Sequence, residues 1–271
     1  MKKSYRLACI LLSAALLFPA CASAGKETES TAGTPDSPSA AVAVLSGYGY
    51  TYQNDITPYA MSITSQSLLL ANKTVILGAD YTPTDLVTIN PSLTLYGRAQ
   101  SLSADAANAA TALILEMRAI GYTGISMTSS YRSYKRQEEL FSIYKQNEKK
   151  AHPAWTDAQV EERVLSYSAR PGTSEHQTGL CMDLFYTGMT ELVNYGYETE
   201  TEGDLGFAET GAYRWLTENA HRFGFILRYP QDKTGVTGYS YESWHYRFVG
   251  VKAATEIHNA GITLEEYLAN H

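Results

Sequence analysis

Apolar residues between positions 69 and 271 recur at spacings that switch between those of helices and those of strands. Ala104 to Ile120 sets Ala107, Ala110, Leu113 and Met117 on one helical face and stops at Gly121, a residue suited to the turn after a helix. Gly124 to Ser129 reads as a short strand. A helix follows from about Tyr134, with Ser133 as its N-cap, and its stripe of Tyr134, Gln137, Phe141 and Tyr144 faces the protein body. Thr156-Asp157-Ala158-Gln159 has capping-box spacing and opens a helix that stops before Pro171. Residues 179–185 read as a strand, 211–223 as a helix ending at Gly224, and 225–229 and 244–249 as two further strands. Helices come first, short strands are interleaved late, and regular βαβ alternation is missing. The expectation is an α+β fold, a small central antiparallel sheet flanked by helices.

Upstream the pattern changes character. Lys2, Lys3 and Arg6 precede an apolar run from Leu7 to Phe18 and an Ala22-Ser23-Ala24 cleavage pattern, so residues 1–24 read as an export signal. The run is too short to span a bilayer comfortably. Phe18-Pro19-Ala20-Cys21 also resembles an imperfect lipobox, with Phe18 where an aliphatic residue is usual. On that route a lipid on Cys21 would attach the chain to the membrane. Both routes stay open, and both put the protein outside the cytoplasm. Residues 25–45 hold Gly, Ser, Thr, Pro, Ala and charge without aromatics, too little apolar surface to order a chain. The expected organisation is therefore a leader (1–24), a flexible tether (25–60) and one folded domain (61–271).

Composition narrows the partners. The net charge of −7 comes without a basic run, which excludes a phosphate-contacting nucleic-acid surface. Loss of residues 1–24 would leave Cys181 as the only cysteine, so no internal disulfide can form and stability must come from the core.

Chemistry-bearing residues gather in three stretches. In Ser174-Glu175-His176-Gln177-Thr178-Gly179-Leu180-Cys181-Met182-Asp183, His176 precedes the strand and Asp183 lies on it. Leu180, Met182 and Leu184 share one strand face; Cys181, Asp183 and Phe185 share the other. Imidazole nitrogen and carboxylate oxygen are both zinc ligands, and a surface-loop His beside an unrelated strand Asp fits the same spacing. Glu242-Ser243-Trp244-His245 opens the last strand, where His245, Arg247 and Val249 share a face. A turn or bulge must bring Glu242 beside His245. With it, His176, Asp183 and His245 make three ligands beside a free carboxylate, the form of a catalytic zinc site. Ser129-Ser130-Tyr131-Arg132-Ser133, followed by the inward-facing Gln137, suits a carboxylate pocket, because guanidinium is a planar fork of donors. An Arg in a surface ion pair beside a structural Gln fits the same spacing.

Together the segments Ser-x-His-x6-Asp, Glu-x-Trp-His and Tyr-Arg-Ser-x3-Gln resemble the VanY-type D-alanyl-D-alanine carboxypeptidases, whose zinc fold is shared with lysostaphin-type endopeptidases and hedgehog-type domains. Related L,D-carboxypeptidases carry the same segments. The resemblance extends in order over residues 65–271 through Ala79 to Pro83, Gly224 to Pro230, Thr237-Gly238-Tyr239 and Leu264 to Leu268. It implies one catalytic zinc ion on His176, Asp183 and His245, with Glu242 as base. It further implies Arg132 as substrate binder and stabiliser of developing negative charge, and Gln137 and Ser174 as substrate contacts. The implied substrates are peptidoglycan stem peptides, trimmed of a terminal D-alanine. An L,D-carboxypeptidase acting on tetrapeptide stems, and a wall-binding module that keeps the metal without turnover, are the alternatives. Two positions depart from the family: Ser130 stands for the usual Gly, and Cys181 for the usual Ala, where the thiol either competes as a zinc ligand or fills the small space an Ala would take.

Overall fold

A computed structural model describes residues 51–55, 59, 67–187 and 206–270. The expected leader with Cys21, nearly all of the expected tether, and residues 188–205 lie outside the described residues.

The core begins with a two-stranded ribbon, β1 (Leu86–Thr88) against β2 (Ser101–Ser103). Then follows α1 (Ala104–Ala119). Its expected stripe of Ala107, Ala110, Leu113 and Met117 is buried, and so are Ala106, Ala109, Ala112 and Ile114. Small side chains let neighbouring backbone close in around most of the helix. Residues 51–55, placed by the sequence inside the tether, dock on this helix instead. The N–H groups of Gln53 and Asn54 donate to the buried carboxylate of Glu116 at 2.8 and 3.0 Å, and Tyr52 packs edge-on against Phe223. A buried carboxylate would be costly without such donors, so these residues belong to the folded body.

The expected antiparallel sheet is present, in the order β3 (Ile125–Ser129), β4 (Cys181–Tyr186), β6 (His245–Phe248), β5 (Phe225–Leu227). Its central strands bury Met182, Leu184, Tyr246 and Phe248 against α1. Between β3 and β4 lie α2 (Tyr134–Ala151) and α3 (Asp157–Leu165). The Ser133 cap accepts from the Arg136 N–H, and both halves of the Thr156–Gln159 capping box are made. The helix α4 (Gly211–Asn219) tightens into a 3-10 turn through Phe223 and stops at Gly224, whose φ is +82°. A Cβ there would lie 2.7 Å from the Phe248 ring, so this stop serves packing as well as turn geometry. After β6 come α5 (Val251–Ala260) and α6 (Leu264–Ala269), which the apolar pattern did not announce. They close a smaller cluster with Ile226, Val249, Ile257 and Tyr267.

Candidate active site

The sheet register builds the site. In the β4–β6 ladder Cys181 faces Arg247, Met182 faces Tyr246 and Asp183 faces His245. Strand alternation then puts Met182 and Tyr246 into the core and leaves Asp183 beside His245 on the opposite face. His176 arrives from a 3-10 turn, Glu175–Thr178, that ends at Gly179 in the left-handed region (φ +68°). That reversal is what allows chain leading into β4 to fold back over the strand's functional face. The two imidazoles meet edge to face, with ring centres 5.1 Å apart. Asp183 bridges them: Oδ2 lies 3.3 Å from His176 Nε2, and Oδ1 lies 2.9 Å from His245 Nδ1.

Glu242 joins through the turn that strand spacing required. The N–H of His245 bonds to the Glu242 carbonyl at 3.3 Å, and Glu242 Oε2 lies 3.6 Å from His245 Nδ1. Its side chain keeps 23% exposure, so it faces both the cluster and solvent. Burial beside the charge of Asp183 pushes the Glu242 carboxyl up to about 7, against the opposing pull of His245, His176 and Arg132. A carboxyl with a pKa near neutrality can both take and return a proton.

On the rim stand the residues of the third stretch. The N–H of Arg132 donates to the His176 carbonyl at 3.0 Å, which fixes the start of its side chain beside a cluster residue. Its guanidinium donates to Gln137 Oε1 at 2.7 Å and Ser129 Oγ at 3.4 Å. Gln137, 2% exposed, is itself held by the Ala169 carbonyl at 2.6 Å. Gln137 therefore props the arginine in this arrangement. Ser174 is buried and precedes the His176 turn, whose first backbone bond ends on its carbonyl. Ser130 turns its hydroxyl to Gln100 and its carbonyl to His176, so this departure from the family adds no side chain to the cluster.

Cys181 stands among the donors, where the sequence left it either a competing ligand or a space-filler. Among the described residues, His176, Cys181 and His245 bring one donor atom each within 4.8 Å of one another. Sequence reasoning also passed over Glu175. It lies 1% exposed behind the cluster, between two fully buried arginines, Arg228 and Arg247. Charged residues at Arg228 and Arg247, inside otherwise apolar strand sequence, were the available signal, because a buried charge demands a partner.

The donors fit a zinc ion. His176 Nδ1–H donates to the Ser130 carbonyl at 2.6 Å, so Nε2 is the nitrogen left to face Asp183, and it offers a lone pair once the ring gives up its second proton. Burial disfavours the charged ring, yet Cys181 and Asp183 raise His176 to about 9. A site that draws protons onto its imidazoles favours a cation at that point. Nitrogen, nitrogen and carboxylate oxygen, with an acid nearby, match the ligand set of catalytic zinc.

Comparison with known proteins agrees. Residues 99–251 match the family model described as VanY, D-alanyl-D-alanine carboxypeptidase. A D-alanyl-D-alanine carboxypeptidase of Enterococcus faecalis is 44% identical over 142 residues, 52% of this chain and 46% of that protein, so this chain spans about half the length of that relative. Among solved structures, an LD-carboxypeptidase called LdcB is 34% identical, with 74% of this chain and 84% of that one covered at a TM-score of 0.59. A D,D-pentapeptidase VanY from a VanB-type vancomycin-resistance cassette, solved with Zn(II), is also 34% identical, covering 74% of this chain and 98% of that one at a TM-score of 0.57. With the match over residues 99–251 enclosing the whole His176–Asp183–His245 cluster and Glu242, the chain belongs to the VanY D-alanyl-D-alanine carboxypeptidase family.

Proposed function

We propose that the chain is a zinc-dependent carboxypeptidase that removes the terminal D-alanine from peptidoglycan stem peptides. The observation that carries this reading is the carboxyl of Glu242, 3.6 Å from the His245 nitrogen that also meets Asp183. His176, Asp183 and His245 would hold the ion. Zinc in such a site acts as a Lewis acid towards water and carbonyl oxygen. Glu242, with its pKa raised to about 7, takes a proton from the attacking water and returns it to the leaving amine. Arg132, held by Gln137 at 2.7 Å, supplies a fixed positive charge for the substrate carboxylate or for the carbonyl oxygen as it gains charge. A pre-set guanidinium that recognises a free carboxylate would select chain ends over internal bonds.

The L,D reading has its own support, since an LD-carboxypeptidase structure is as similar as a D,D one. Digestion of synthetic pentapeptide and tetrapeptide stems, followed by mass spectrometry with and without a chelator, separates the two. Release of D-alanine from the pentapeptide alone is the expected result. Glu242→Gln should lower turnover by about 100-fold or more while zinc stays stoichiometric. Near-native turnover in that variant would remove the proposed base, and a wild-type protein inactive on both peptides would leave a binding module.

A further inference from the structure

Behind the metal cluster lies a buried group of four charges. Arg228 and Arg247 are 0% exposed, and Glu175 is 1% exposed. Glu175 Oε1 accepts from Arg228 Nε at 2.7 Å and from Arg247 at 2.6 Å. Arg228 also forks onto Glu265 of α6, at 2.9 and 2.6 Å. Arg247 continues to the Leu69 carbonyl at 2.5 Å. Two cations balance two anions, which is the condition for holding them out of water. Packing alone does not call for such a group, since apolar side chains of similar volume would fill the same space at equal or lower cost.

One oxygen of the group is unused. Glu175 Oε2 is buried and makes no hydrogen bond, and it lies 3.6 Å from His245 Nε2, a buried nitrogen that also makes none. Two orphaned polar atoms facing each other at that separation are a donor and an acceptor one small shift from bonding. The other ligand, His176, already follows this scheme: its outer nitrogen donates to the Ser130 carbonyl at 2.6 Å and its inner nitrogen faces Asp183. His245 turns Nδ1 towards Asp183 and Glu242. To offer a lone pair there it must carry its proton on Nε2, where Glu175 Oε2 stands opposite.

We propose that Glu175 is the positioning residue of His245: its Oε2 accepts the Nε2–H, selecting the tautomer and ring orientation that present Nδ1 to the metal. Arg228 and Arg247 hold the carboxylate in place through its other oxygen. The Glu265 contact ties this arrangement to the C-terminal helix, and the Leu69 contact ties it to the segment that precedes β1. Outer hydrogen bonds of this kind typically change metal affinity by about 10–100-fold. The inference rests on the zinc-site reading above.

The test uses the full chain and two readouts. Nitrogen NMR of imidazole-labelled, zinc-loaded wild type should show His245 protonated on Nε2, with that proton protected from exchange. Competition with a chelator should show Glu175→Ala binding zinc about 10–100-fold more weakly, and should lose the protected proton. Glu175→Gln, which keeps an acceptor and the same shape, should recover part of the affinity and stand in if the alanine variant does not fold. A folded Glu175→Ala with wild-type zinc affinity, or a wild-type His245 protonated on Nδ1, overturns the proposal. Failure of the wild type to bind zinc would overturn the site reading itself, and is distinguished by that first titration.

Discussion

Replacing Arg228 with Met tests whether the charged group behind the site behaves as a unit. The side chain is 0% exposed and makes three short charge-assisted bonds, one to Glu175 and two to Glu265. Methionine fills much of the volume and removes the charge, so the effect is chiefly electrostatic. Breaking one side of a buried pair costs about 3–5 kcal/mol, because the partner stays buried without compensation. Here the loss is cushioned. Glu175 keeps Arg247 at 2.6 Å, and Glu265 keeps Asn72 at 3.2 Å and is 14% exposed, so water reaches it. The expected cost lies at the lower end, about 3 kcal/mol. For a domain of this size that lowers Tm by about 6–12 °C. Urea titrations with chelator present would measure it without the added stability that bound zinc confers. The companion Arg228→Met/Glu265→Leu removes the second anion as well, and should lose less than the single variant. A single-variant loss below about 1 kcal/mol, or a double variant less stable than the single, would refute the reasoning.

Two further results are expected. In Asp183→Ala the remaining donors His176, Cys181 and His245 stay within 4.8 Å of one another, so cobalt should still bind and acquire an intense sulfur charge-transfer band. The band should vanish in Asp183→Ala/Cys181→Ala, and stoichiometric cobalt without the band in the single variant would contradict this. The second concerns acid stability at a distance from the site, where His221 stacks on His258 with ring centres 4.1 Å apart. Burial, with the nearby His258 and Arg222, lowers His221 to about 4 from 6.5. Between those values the unfolded chain binds the extra proton, so stability rises with pH through that window and is lost as pH falls through it. Because the pair is partly exposed, the discounted size is about 1–2 kcal/mol. Urea midpoints of wild type and His221→Phe at pH 4.5 and 7 should differ in slope, and identical slopes would remove the assignment.

Much of this architecture was legible in local sequence, because the signals act over a few residues. Ser133 and the Thr156–Gln159 box announced their helices through backbone donors that only nearby side chains can satisfy. Strand alternation alone separated Met182 and Leu184 from Cys181 and Asp183, and Tyr246 and Phe248 from His245 and Arg247. The helices α5 and α6 were less visible: α5 buries Val251, Ala253, Ala254 and Ile257, a face with little contrast in a linear reading. The docking of residues 51–55 was invisible as well, since its partners, the Glu116 carboxylate 62 to 63 positions away and the Phe223 ring, are distant in the chain.

Residue types and spacing nominated His176, Asp183, His245 and Glu242, because ligand chemistry is a property of the side chain itself. Their convergence was decided by the β4–β6 register, which sets Asp183 opposite His245 across 62 positions, and by the turn that returns Glu242. The pairing of Glu175 with Arg228 and Arg247, 53 and 72 positions on, likewise came from the fold. A buried charge states in sequence that it needs a partner, but distance and desolvation, which choose that partner, exist only once the chain has closed on itself.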